Sequence, residues 1–395
     1  MKALEEEWRQ ILEETVARDE AAGVSLLCVQ NGREVCHLTS GWADRERRLP
    51  VKEDTIFRLY SMTKPVTAVA AMMLAERGAL EPDAPLAEYL PDFAGAQVWN
   101  GAALEKPRRP VLVRDLLFMT SGLSYGDSDT ATETQTRALL AKAEQSLETE
   151  RPVTTAEFAR EAAEIPLLFQ PGTSWKYGIS ADILGAAIER AAGMRFGEFL
   201  RREIFEPLGM EDTGFFVPAK KQGRLARAYE RTAAGNAPYT GSFLGVRNAM
   251  DREAAFESGG AGLVSTARDY ARFAQLLLGE GSAYGVRLLQ PETVRLMRAG
   301  RLGEAPQAAF ESWFGDGGYR YGYLMRTLEE PARSGRAGLR EEYGWDGWLG
   351  CVFWNCPREN MTLLIMQQQL GGGDLVQRVK EALVRCQGEI GRREA

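Results

Sequence analysis

The stretch FRLYSMTKPVTAVAAMML, residues 57 to 74, carries the choice of fold. Its second half is apolar and rich in alanine and methionine, and Gly78 stands where a helix C-cap belongs. Residues 65 to 78 are therefore predicted to form a buried helix. At its mouth Ser61 and Lys64 are three residues apart, a spacing that puts both on one helical face. A serine hydroxyl needs a base before it can attack a carbonyl. A lysine can be that base when burial and the positive end of a helix disfavour its charged form and lower its pKa. A capping serine followed by a solvated lysine spells the same four letters, so the surroundings have to decide.

At 395 residues the chain exceeds one typical domain, which suggests two, or one large core with an inserted lobe. A formal charge of -7 offers no basic field for phosphates, so small molecules are expected as partners rather than nucleic acid or an anionic membrane. The first twenty residues read as an acidic amphipathic helix with Leu4, Trp8, Ile11, Leu12 and Val16 on one face. Neither a signal peptide nor a membrane span is expected. Five scattered cysteines make no disulfide framework and point to a reducing, cytoplasmic compartment. Cys351 and Cys356 lack the further Cys or His of a zinc site, and the chain has one histidine, so no metal or other cofactor is expected.

Residues 23 to 30 and 33 to 42 read as a β-hairpin around Asn31-Gly32, a pair suited to a type I′ turn. Near the other end, 350 to 357 and 361 to 369 read as two strands, followed by a helix from about Asp374 to Cys386. The two ends can then pair into one antiparallel sheet. Between them the pattern is helical over 113 to 122, 155 to 165, 181 to 193 and 267 to 279, with Gly122 and Gly193 as further C-caps. Thr266 and Asp269 make a capping-box arrangement at the last of these. Loops are expected over about 95 to 110, 124 to 137 and 301 to 318, as rims of a cleft.

The run LYSMTKPVTAVAAMMLAERGALEPDAPLAEYLPDF, from Leu59, resembles the signature of class C β-lactamases and family VIII carboxylesterases. LLFMTSGLSY (116 to 125), PGTSWKYGISADILG (171 to 185), FEPLGMEDTGF (205 to 215), GGAGLVSTARDYARF (259 to 273) and GWDGWLGCVFWNCPRENM (344 to 361) resemble further blocks in the same order. The resemblance implies an α+β, penicillin-binding-protein-like fold: an antiparallel sheet flanked by helices, with an inserted all-helical domain. Residues 1–78 and 195–395 would form the α/β domain and 79–194 the helical one, with the site in the cleft between them. It further implies an acyl-enzyme on Ser61, Lys64 as base and Tyr177 as proton relay, with the backbone N–H groups of Ser61 and Trp348 as the oxyanion hole. The third motif, Lys-Thr-Gly in lactamases, is here Trp345-Asp346-Gly347, which lines the substrate site without a cation. Asp346 is expected to repel a carboxylate, so neutral or cationic esters are expected over β-lactams. Ile179 replaces the asparagine that follows the lactamase tyrosine, and Met119 replaces a usual histidine.

Gly122-Leu123-Ser124-Tyr125-Gly126 matches the G-x-S-x-G pattern of α/β-hydrolases, which would make Ser124 the nucleophile. That motif needs a strand before it and a histidine base, whereas a helical segment precedes it and the only histidine, His37, lies in a hairpin strand. His37 is read as structural. The aromatic stretch 311 to 323 could line a pocket or belong to core. An ester hydrolase is the leading reading; an acyltransferase, a D-aminopeptidase or weak β-lactamase, and an inactive binding protein are the rivals. The assembly state stays open.

Overall fold

Asn31 and Gly32 both take positive φ, 52° and 72°, as a type I′ turn requires, and join β1 (Gly23–Gln30) to β2 (Arg33–Asp44). The computed structural model, which describes residues 2–393, extends this hairpin into an eight-stranded antiparallel sheet. Its other strands are β3 (Leu49–Pro50), β4 (Tyr319–Tyr321), β5 (Arg326–Leu328), β6 (Tyr343–Asp346), β7 (Val352–Cys356) and β8 (Met361–Gln367), in the order β4-β5-β6-β7-β8-β1-β2-β3. The two ends of the chain meet at its centre, Val24 opposite Gln367 and Gln30 opposite Met361.

The helices that bear on sheet and site are α1 (Lys2–Ala17), α2 (Thr63–Glu76), α3 (Val113–Leu117), α4 (Ala131–Ser146), α5 (Thr155–Ala163), α6 (Ser180–Ala192), α7 (Ala267–Leu278), α8 (Glu304–Phe314) and α9 (Leu375–Arg393). Successive side chains of the central strands point to opposite faces and so feed two cores. Leu26, Leu363 and Ile365 join Trp8, Leu12 and Val379 beneath α1 and α9, where the Trp8 indole N–H donates to the Val379 carbonyl at 3.1 Å. Leu27, Leu364 and Phe353 join Phe273 of α7 in a larger core that runs on without a break through α2, α5 and α6. No helix among the described residues is long and apolar enough to cross a membrane.

Several expectations need correction. The helix expected over 113 to 122 stops at Leu117, because Asp115 accepts from the Leu112 N–H and from the Thr120 hydroxyl and draws the chain into a turn. Met119 takes the left-handed position, φ 58°, that was assigned to Gly122. Gly122 also takes positive φ, 90°, but five residues beyond the helix, where it serves a close approach: a Cβ there would lie 2.9 Å from the Phe169 carbonyl. Two expected loops contain helices. α4 starts inside 124 to 137, its N-terminus capped by Thr130, and α8 lies inside 301 to 318. The regular elements within 79–194 are helices joined by turns and loops, apart from one short ribbon, Val98–Trp99 with Leu104–Glu105. Cys351 packs in the larger core and Cys356 in the smaller one, so these two thiols do not face each other.

Candidate active site

The residues before Ser61 are tied down on all sides. Phe57–Arg58 pairs with Val264–Ser265, the Leu59 N–H donates to Leu263 O at 2.8 Å, and the buried Arg58 guanidinium donates to the carbonyls of Ala226 (2.6 Å) and Asn248 (2.7 Å). Tyr60 then takes φ 44°, a costly conformation for an aromatic residue, and turns the chain into the single 3-10 turn Tyr60–Met62 from which α2 starts. Ser61 sits on that turn and Lys64 in the first turn of α2, fully buried.

The Lys64 ammonium group donates to Ser61 Oγ at 3.1 Å, to the Tyr125 hydroxyl at 3.0 Å and to the Gly260 carbonyl at 2.9 Å. Burial lowers its pKa to about 7, against the opposing pull of the Asp182 and Asp346 carboxylates. The amine also lies 4.6 Å from the centre of the Tyr177 ring. The Tyr177 hydroxyl reaches Ser61 and accepts the Trp345 indole N–H at 3.1 Å, so the sequence-predicted Ser61, Lys64, Tyr177 and Trp345 come together. Burial pushes the Tyr177 phenol well above its usual range.

The third motif reaches the nucleophile because Gly347 has no side chain. A Cβ there would stand 2.1 Å from the Leu59 carbonyl. The turn after it is closed by the Gly347 N–H on Cys351 O at 2.7 Å and the Gly350 N–H on Gly347 O at 2.8 Å, which leaves the Trp348 N–H out of both bonds. The Trp348 ring is held against Phe243, centroids 4.1 Å apart, and meets Tyr60 edge-on at 5.0 Å.

A buried serine three residues before a buried lysine of depressed pKa, a tyrosine at the serine and a glycine-borne turn beside it form one unit along a chain that matches the Beta-lactamase family over residues 8–385. The chain belongs to that family. It is 33% identical over 341 residues to Protein Rv1367c of Mycobacterium tuberculosis, covering 83% of this chain and 81% of the relative. Esterase EstB of Burkholderia gladioli is 29% identical over 350 residues, covering 86% and 84%. Among solved structures, EstCE1, described as a hydrolase with promiscuous acyltransferase activity, superposes with a TM-score of 0.84 at 26% identity, covering 97% of this chain and 99% of its own.

Within this β-lactamase fold the structure adds residues that sequence reasoning missed. Tyr125, the second hydroxyl on Lys64, comes from the rejected G-x-S-x-G stretch, and the block LLFMTSGLSY already contained it. Ser124 beside it is buried and caps its own turn, accepting the Gly126 N–H at 3.3 Å. Gly178 makes room for this arrangement, since a Cβ there would lie 2.5 Å from Leu123 O. The buried Asp182 accepts from the Ser258 hydroxyl and from the Gly260 N–H at 3.0 Å, and so aims the Gly260 carbonyl at Lys64. Burial raises the pKa of Asp182. From the undecided stretch 311 to 323, Trp313 packs on Tyr177 at 4.7 Å, and Tyr321 meets Trp345 edge-on. His37 bonds with Ser25 Oγ at 2.8 Å, on the hairpin, and burial lowers its pKa.

Asp346 is not the isolated negative charge that the sequence suggested. It forms an ion pair with Arg326 of β5, which pairs with β6. Cavities of about 470 Å³ beside Phe215 and about 610 Å³ beside Tyr89 are lined by none of Ser61, Lys64 or Tyr177, so convergent chemistry rather than size marks the site.

Proposed function

We propose that Ser61 attacks the carbonyl of a carboxylic ester and carries the acyl group until water releases it. The chain is a serine hydrolase of the carboxylesterase type on a β-lactamase-like scaffold. The observation that carries the reading is the contact of Lys64 with Ser61 at 3.1 Å, made by an amine whose pKa of about 7 leaves much of it neutral at neutral pH. Neutral Lys64 takes the Ser61 proton, and Tyr177 passes it to the leaving alkoxide. The N–H groups of Ser61 and Trp348 face the oxygen on which charge develops. Trp345, Asp346 and Gly347 line the substrate. The α/β body of residues 1–78 and 195–395 and the helical insert 79–194 would contribute opposite walls of this cleft. The absence of disulfides among five free cysteines fits a cytoplasmic enzyme.

Transfer of the acyl group to an alcohol is the second reading, favoured by the aromatic rings gathered on Tyr60, next to the serine, and on Tyr177, namely Trp348 and Phe243 on the first and Trp313 and Trp345 on the second, and by the description of EstCE1. A binding protein without catalysis fits poorly with a lysine and tyrosine both assembled on Ser61.

The test is turnover of short p-nitrophenyl esters together with labelling by a fluorophosphonate probe. Ser61→Ala should abolish both, lowering kcat by about four or more orders of magnitude, while Ser124→Ala keeps most activity. An inactive Ser124→Ala protein beside an active Ser61→Ala protein would reverse the assignment.

A further inference from the structure

The sequence offered no cation in the third motif, yet the fold brings one to it. Arg326 lies with its guanidinium carbon 4.9 Å over the Trp345 ring and 4.7 Å over Phe314 of α8, and only 11% of its side chain is exposed. Of its five N–H donors, a single one has an acceptor among the described residues, and that acceptor is Asp346. The carboxylate itself is 52% exposed, at the end of β6 and next to Gly347. An arginine held over two aromatic rings, with donors to spare, is therefore covered by a half-exposed acid beside Gly347.

We propose that the Arg326–Asp346 pair is the charge selector of this site, Asp346 occupying an arginine that would otherwise bind a substrate carboxylate. This rests on the ester-hydrolase reading and adds the substrate class, acyl esters without a negative charge. A carboxylate arriving at Trp345 meets the exposed Asp346 first and is repelled. To reach Arg326 it has to displace a partner already in place, so it gains no new ion pair in exchange for its own hydration. An uncharged ester meets a pair whose charges cancel, beside the apolar faces of Trp345 and Trp313. The selectivity thus comes from masking a cation that is present rather than from lacking one. Asp346 and Arg326 act here on what binds, and neither exchanges a proton with Ser61.

The experiment compares kcat/KM for matched acyl chains with and without a terminal charge. p-Nitrophenyl hexanoate is set against mono-p-nitrophenyl adipate, and the octanoate against the suberate, within each variant. Asp346→Ala should move the ratio toward the carboxylate-bearing esters by about tenfold or more, the usual worth of a hydrogen bond to a charged group. Adding Arg326→Met to Asp346→Ala should reverse that gain. Asp346→Asn, which keeps the shape and removes the charge, should shift the ratio in the same direction by less, and stands in if the alanine variant does not fold. Unchanged ratios in the Asp346 variants, or a gain that survives the loss of Arg326, would overturn the selector while leaving the esterase reading intact. Wild-type protein that turns over neither hexanoate nor octanoate would instead overturn the esterase reading, and the selector with it.

Discussion

Lys64 stands between two opposed influences. Its three acceptors, Ser61 Oγ, Tyr125 OH and Gly260 O, suit an ammonium group, whereas complete burial disfavours the charge and brings the pKa to about 7. The sign for activity follows: below that pH the lysine holds its proton and cannot accept one from Ser61, so kcat/KM should rise with pH through about 7. Tyr125→Phe removes an acceptor that favours the charged form, so the midpoint of the pH profile should move to lower pH. A midpoint that moves up would mean that Tyr125 does not bond the ammonium. Because the groups are coupled, the midpoint belongs to Lys64, Tyr125 and Tyr177 together. Lys64→Ala and Tyr177→Phe should each lose most of kcat, and the double variant should lose far less than the two free energies combined. Strictly additive losses in stopped or steady-state assays would show that the two do not share one proton path.

At the scale of elements, the site depends on strands and helices that approach unusually closely. β6 ends against the segment that leads into α2, and the contact is possible because Gly347 presents only hydrogen to Leu59 O. Gly347→Ala should displace the turn that bears Trp348 and lower kcat by about two to three orders of magnitude, the usual loss of an oxyanion donor, with KM less affected. Equal kcat in a folded Gly347→Ala protein would show that the turn contributes no such donor. Elements with a strong period or a turn signal were legible: the hairpin at Asn31-Gly32, α2 with Gly78 after it, α6 with Gly193 after it, and α7 with Thr266 bonding the Asp269 N–H. α4 and α8 were not. Their sequences are rich in Thr, Gln and Glu or begin near Gly303 and Pro306, and what holds them is tertiary: Glu133 pairs with Lys176, and Phe310 and Trp313 pack on Trp175.

Across the whole molecule, the sheet separates a core that supports from a core that carries the site. Trp8 is fully buried on the supporting side, between α1 and α9, while Ser61 and Lys64 belong with the opposite face. Trp8→Ala should destabilise the protein by about 3–5 kcal/mol, seen as an earlier urea midpoint, with kcat per folded molecule unchanged. A loss of kcat at full folding would show that the two cores are coupled through the sheet. The sequence by itself determined the Ser61–Lys64 spacing, the tyrosine at 177, the joining of both chain ends in one sheet and the order of the blocks that mark the family. The Ser61–Lys64 pair is legible because it lies within one short motif, where spacing sets which side chains share a face, and the strands at both ends carry their own turn and period signals. The tyrosine is legible through the resemblance of its block to the family. Only the tertiary structure decided that Tyr125 and Gly260, 61 and 196 residues from Lys64, complete its contacts, and that Asp346 covers Arg326. Such partners are chosen when the chain closes across a shared core, and no local period records which distant side chain will arrive there.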